Sequence, residues 1–174
     1  MKKISKIFVM ILISIALAGN LYAADTSDAQ DASEKFIKKA STSSLFEIES
    51  SKVALDKSRN PQIKKLADKL IKDHTTSNKK LKDVLTNEKL RFPMNMTLNE
   101  KNAKKIDELK ETSERKFDKE YIDMQKQGHE ETIESFKDFL DAKDTHPALR
   151  KFAEQTLPDL ETHLLKISDI EKSL

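Results

Sequence analysis

The chain contains no cysteine and, in 174 residues, only two glycines and four prolines. Without cysteine no disulfide can staple the fold and no thiol can carry a lipid anchor, so stability must come from a buried core. A mature domain of about 150 residues is long enough to supply one. Few glycines and prolines, together with 36% charged residues and abundant Lys, Glu, Leu and Ala, make a helical composition. Also missing are a nucleophile elbow, a glycine-rich phosphate loop and the metalloprotease His-Glu-x-x-His pattern, so nothing recommends a hydrolase. No internal repeat is present beyond the likeness of one helix to the next.

At the N-terminus, Lys2, Lys3 and Lys6 precede an apolar run from Ile7 to Ala18, followed by small residues ending in Ala23 and Ala24. This is the pattern of a secretory signal peptide, assigned to residues 1–23. The run is shorter than the roughly 20 residues a membrane span needs, so no span is expected after cleavage. The predicted location is the periplasm or the medium. Those three lysines belong to the leader, which leaves 29 of the 32 basic side chains against 30 acidic ones. A near-neutral chain with interspersed signs has no block that tracks phosphates, which argues against nucleic acid as a partner.

Beyond a flexible segment at 24–32, with Asp28 or Asp31 available as a cap, residues 33–174 are expected to form an all-α, antiparallel four-helix bundle. Helix one runs to about Lys57 with Phe36, Ile37, Ala40, Ser44, Ile48, Ser51, Ala54 and Leu55 inward, at helical spacing. Asn60 and Pro61 end one helix and open helix two, which runs to about Lys89. Thr97 and Glu100 form a capping-box pattern for a short connector helix. Thr112 or Ser113 caps helix three, which runs to about Lys143, and His146 with Pro147 begins helix four, with a kink expected near Glu154 to Pro158. Tyr121 and Met124 read as core packing.

Each long helix carries one ionisable residue within its apolar stripe: Glu47, His74, His129 and His163. By rise per residue they lie about 15, 20, 21 and 24 Å from their turns, in helices roughly 40 Å long. All four therefore sit at mid-height, whichever way the helices are connected. Imidazole and carboxylate form a ligand set for one transition metal ion (Zn, Cu, Fe or Mn), and bundle cores are a place to build such sites. The competing reading is a buried hydrogen-bond network in which Glu47 accepts from the imidazoles and fixes helix register. His146, at a turn before a proline, is read as a helix starter. Asp73, Glu130 and Glu161 are read as solvated flank residues, and Gly128 as room beside His129.

Several features together resemble a known family, the exported bacterial proteins called domain of unknown function 4142. They are Phe36-Ile37, Glu47-Ile48, Asn60-Pro61, Asp73-His74, Phe117-Asp118 with Tyr121, His129-Glu130, Pro147-Ala148-Leu149-Arg150, Thr156-Leu157-Pro158 and His163. The resemblance covers about Ala32 to Ile170 and implies a ferritin-like four-helix fold and export. It carries no catalytic assignment. A di-iron centre would take a Glu-x-x-His pair from each of two helices, whereas Ile71, Lys126 and Leu160 stand three residues before the core histidines. Two functional readings follow: a metal-binding bundle serving metal or oxidant handling, and a non-catalytic envelope bundle with structural histidines. The absence of any catalytic motif favours a protein that is not an enzyme.

Overall fold

The computed structural model describes the backbone of residues 18–174, with side chains from Ser27 onward. Most of the predicted leader, residues 1–17, lies outside the described residues. The described chain forms five helices and no strand: α1 (Ala18–Lys57), α2 (Pro61–Asn87), α3 (Glu100–Glu111), α4 (Glu114–Asp141) and α5 (Pro147–Glu171). Helices one to four of the sequence reading are α1, α2, α4 and α5, and α3 is the connector. None of the described helices is long and apolar enough to cross a membrane.

Local chemistry accounts for most of the boundaries. The Asn60 side chain accepts from the Gln62 amide at 2.9 Å with Pro61 opening α2, as expected. His146 caps α5 by accepting the Ala148 amide at 3.3 Å on Nδ1. Two expectations are corrected. The α3 cap is Asn99, whose side chain accepts from the Asn102 amide at 2.8 Å, and not Thr97: two residues nearer the helix, Asn99 reaches the orphan amide directly. Residues 24–32, expected to be flexible, are helical and continuous with the rest of α1. They contain neither glycine nor proline to stop a helix, so Asp28 and Asp31 lie within α1 and face solvent instead of capping it. α5 likewise passes unbroken through Pro158.

The four long helices pack in a ring, α1 beside α2 and α4, and α5 beside α4 and α2. Cross-helix contacts fix their directions. Along α1 from Ser51 back to Phe36, the partners on α4 advance from Tyr121 through Gln125 to Phe136 and Phe139. α1 and α4 are therefore antiparallel, and so are α1 and α2 across their short turn, which leaves α2 and α4 pointing the same way. Residues 88–113 must then travel the length of the ring. Asn95 donates its amide to Ser41 Oγ at 3.1 Å midway along α1, and Lys57 donates to the carbonyl oxygens of Lys110 and Thr112 at its end.

Two apolar clusters fill the interior. One gathers Leu66, Leu70, Phe117, Tyr121 and Ile167 near the α1–α2 turn. The other gathers Phe36, Leu81, Phe136, Phe139, Phe152 and Leu160 near the α4–α5 turn. Polar residues occupy the gap between them. Phe36 stacks on Phe139 with centroids 4.1 Å apart and meets the edge of Phe136 at 4.8 Å. Phe36→Ala should lower unfolding free energy by about 3–5 kcal/mol, read from the urea midpoint. Leu165→Ala, at a side chain left 69% exposed, should stay within about 0.5 kcal/mol.

Candidate metal centre

Between the apolar clusters the four long helices each deliver one of the expected groups. Glu47, His74, His129 and His163 are all 3% exposed or less. The three imidazoles form a nearly equilateral triangle, with ring centroids 5.7, 5.5 and 5.5 Å apart. Each ring offers one nitrogen to the interior, and these nitrogens lie within 4.8 Å of one another, a grouping that could hold a metal ion. Glu47 joins them: Oε2 stands 2.5 Å from His74 Nε2 and 3.4 Å from His129 Nε2. Three nitrogens on a single ion are about 3.3–3.6 Å apart, so a bound ion would draw the most separated of these nitrogens together by about an ångström.

The partners on the far side of two rings fix which nitrogen faces inward. His129 Nδ1 is 2.9 Å from the Gln125 carbonyl oxygen, which can only accept, so the proton sits on Nδ1 and Nε2 presents a lone pair. His163 Nε2 donates to Asp73 Oδ2 at 2.9 Å, which leaves the Nδ1 lone pair turned inward. Inside the cluster the hydrogen bonding is incomplete. Glu47 Oε2 and His74 Nε2 are close enough to share a proton, and that contact helps lower the Glu47 pKa. Glu47 Oε1, His129 Nε2 and His163 Nδ1 are buried without a hydrogen-bond partner among the described residues.

Such an assembly is electron-rich. Burial favours the neutral carboxyl of Glu47, but the surrounding imidazoles, His129 and His74 foremost, outweigh that and bring its pKa down from 4.5 to about 2. Burial also lowers the pKa of His129 and His163 below 6.5, against the opposing pull of Glu47 on the first and Asp73 on the second. A carboxylate and at least two imidazole lone pairs thus face one another in a low-dielectric interior. Orphaned acceptors of this kind are costly unless a cation lies among them.

Asp73, expected on a solvated flank, is corrected to a partner of His163. It lies one residue before His74 and reaches across to His163 on α5, while also accepting from Lys69 of its own helix at 2.7 Å. Burial raises the pKa of this half-buried carboxyl, but the Lys69 and His163 hydrogen bonds prevail and hold it below its usual range. Glu130 and Glu161 are exposed as expected, and Glu161 pairs with Lys137 at 3.0 Å. His146 stays at its cap, apart from the cluster. A Cβ on Gly128 would stand 3.5 Å from Glu47 Oε1, an ordinary contact, so the glycine borders Glu47 and no clash demands it. The buried Gln125 of α4 also shapes the site: its side chain donates to Ser50 Oγ at 2.7 Å while its carbonyl orients His129.

The lowered imidazole pKa values carry a sign. Between the native values and 6.5, the unfolded chain binds protons that the native chain refuses, so native stability rises with pH across that window. Glu47 contributes stability that is present above 4.5 and is lost as pH falls toward about 2. The metal-free protein should lose thermal midpoint on acidification from about pH 7, first through the histidines and further below the ordinary carboxylate range. Circular dichroism melts across that range check this, and a midpoint that is flat between about pH 7 and 5 contradicts it.

Residues 19–170 match the family model described as a domain of unknown function, DUF4142. A search of curated proteins finds no match. Among solved structures, the chain is similar to a crystal structure of a DUF305 fragment from Deinococcus radiodurans, with a TM-score of 0.70 and 11% sequence identity. That likeness covers 82% of this chain and 97% of the other, and at such identity it is a likeness of fold alone. With nearly the whole described chain matched by the family model, the protein belongs to the DUF4142 family.

Proposed function

We propose that this protein is an exported, ferritin-like four-helix bundle that binds one transition metal ion in its core and serves metal or oxidant handling in the periplasm. The observation that carries the metal reading is the convergence of three buried imidazoles, His74, His129 and His163, each with one nitrogen within 4.8 Å of the others, beside the buried Glu47 carboxylate. The ligands would be Nε2 of His74 and His129, Nδ1 of His163 and the Glu47 carboxylate. Three nitrogens and one oxygen suit zinc, copper, iron or manganese rather than magnesium or calcium.

The ferritin-like reading is supported by the single long crossover from α2 to α4, the connection that distinguishes ferritin-like folds from simple up-and-down bundles. A single ion is favoured over two. The positions that would complete a dinuclear carboxylate centre are occupied by Ile71, by Lys126, which pairs with Glu171 at 2.8 Å, and by the buried Leu160. Export is inferred from the leader pattern of residues 1–23 and agrees with the lack of cysteine.

The outer partners are expected to matter nearly as much as the ligands. Asp73 and the Gln125 carbonyl hold the tautomers that aim lone pairs inward, the usual arrangement around metal-bound imidazole. Untagged protein recovered from cells and dialysed against Zn, Cu, Fe or Mn should hold one ion per chain, by elemental analysis. At a free metal concentration 100 times Kd, the gain in stability should be about 2.7 kcal/mol. Asp73→Asn should weaken binding about 10- to 100-fold, and His129→Ala should abolish it. Metal content well below one per chain with every ion offered, together with an unchanged thermal midpoint, would defeat the reading.

A further inference from the structure

Beside the cluster lies a cavity of about 30 Å³. A water needs about 10–15 Å³ measured in the same way, so roughly two waters fit. All four long helices contribute to its wall: Ser44 from α1, Ser77 and His74 from α2, Thr132 from α4, Thr156 and His163 from α5. The lining thus grades from half-buried hydroxyls at Ser77 and Thr156 to the buried imidazoles of His74 and His163. The larger depressions, around Arg59 and Glu114, are open grooves at the α1–α2 turn and involve none of the histidines.

Two properties make this more than a packing gap. Apolar cavities stay dry, but this wall sets hydroxyls at Ser44, Ser77, Thr132 and Thr156, which can donate to and accept from a guest, among the apolar Ala40, Phe136 and Leu160. It also adjoins His74 and His163, two of the three clustered rings, and the inner nitrogen of His163, Nδ1, has no partner among the described residues. An ion held among the three rings would border the cavity. Four protein donors leave a transition ion able to accept a fifth, as zinc and its neighbours do when substrate joins. Closed structural sites, by contrast, have no space next to the metal.

We propose that the ion keeps one coordination position turned toward this cavity, and that the cavity admits there an oxygen or nitrogen ligand of one to three heavy atoms: water or hydroxide at rest, and molecules of the peroxide class in exchange. This rests on the metal reading above and adds that the site is open. The Thr132 hydroxyl donates to the Gly128 carbonyl at 2.7 Å, so its oxygen faces a guest as an acceptor. The remaining hydroxyls can turn either way. Larger organic ligands are excluded by volume.

Cobalt(II) provides the test, because its visible spectrum reports coordination number, and azide is the probe ligand. Untagged protein loaded with one Co²⁺ per chain should change its visible absorption saturably as azide is added. Ser44→Leu fills the cavity from α1, and Ser77→Leu fills it from a half-buried position that burdens the core less. Either variant should keep its Co²⁺ while its azide affinity falls at least tenfold. Bound Co²⁺ that is indifferent to azide, or two plugged variants that respond as the parent does, would overturn the open site and leave the metal reading intact. Failure to bind Co²⁺ at all would overturn both.

Discussion

The structure turns on one buried encounter: the Glu47 carboxylate held against the inward nitrogens of His74 and His129, with His163 completing the ring of imidazoles, away from water. Each helix of the ring supplies one member, so the encounter forms only when α1, α2, α4 and α5 share a level and a rotation. Apolar clusters above and below enforce both. Phe36, Phe136, Phe139 and Phe152 pack on one side, and Phe117, Tyr121, Leu70 and Ile167 on the other. Burial there compensates for polar atoms left without partners, each of which costs about 1–3 kcal/mol, and more when charged. A cation among the four would turn that cost into binding energy, as in sites whose metal affinity is also folding energy.

Around this centre, ordinary hydrogen bonds determine what the unusual ones can be. The Gln125 carbonyl and the Asp73 carboxylate, one on the same helix as its imidazole and one on a neighbouring helix, each remove a proton-bearing nitrogen from the interior. Serines on α1 hold α1 to α4 on the side toward the α1–α2 turn, through Ser51 to Tyr121 and Ser50 to Gln125. Their small side chains also let the helices approach. The resulting frame presents donors in fixed directions, which a site must do to bind an ion without reorganising. The cavity toward Ser77 and Thr156 is a part of this layer that side chains do not fill.

Much of this was readable from residue spacing. The i, i+3, i+4 stripes identified the four long helices, and apart from the start of α1 their expected ends lie within about two residues of the observed ones, because Asn60-Pro61 and His146-Pro147 are strong stop and start signals. The common level of Glu47, His74, His129 and His163 followed from rise per residue alone, since the middle of a rod stays the middle whichever way it points. Asp73 was missed for a physical reason. A projection of α2 puts it at the edge of the stripe, and only the position of α5 shows that this edge faces His163. The cap of α3 and the early start of α1 were missed because two capping residues competed within three positions, and because polar composition was taken for disorder where nothing stopped a helix.

The direction of the α2-to-α4 crossover could not be read either, because short-range pattern carries no information about which rods run parallel. Once known, it unites the long connector, the Asn95 and Lys57 contacts along α1, and the placement of both apolar clusters. The central claim is that these four side chains share an ion. X-ray absorption spectroscopy on the zinc-loaded protein tests it most directly. The account predicts a first shell dominated by three imidazole nitrogens with one or two oxygens at about 2.0–2.2 Å. A shell made only of oxygens, or one whose imidazole signal persists when His129 and His163 are both replaced, would contradict it.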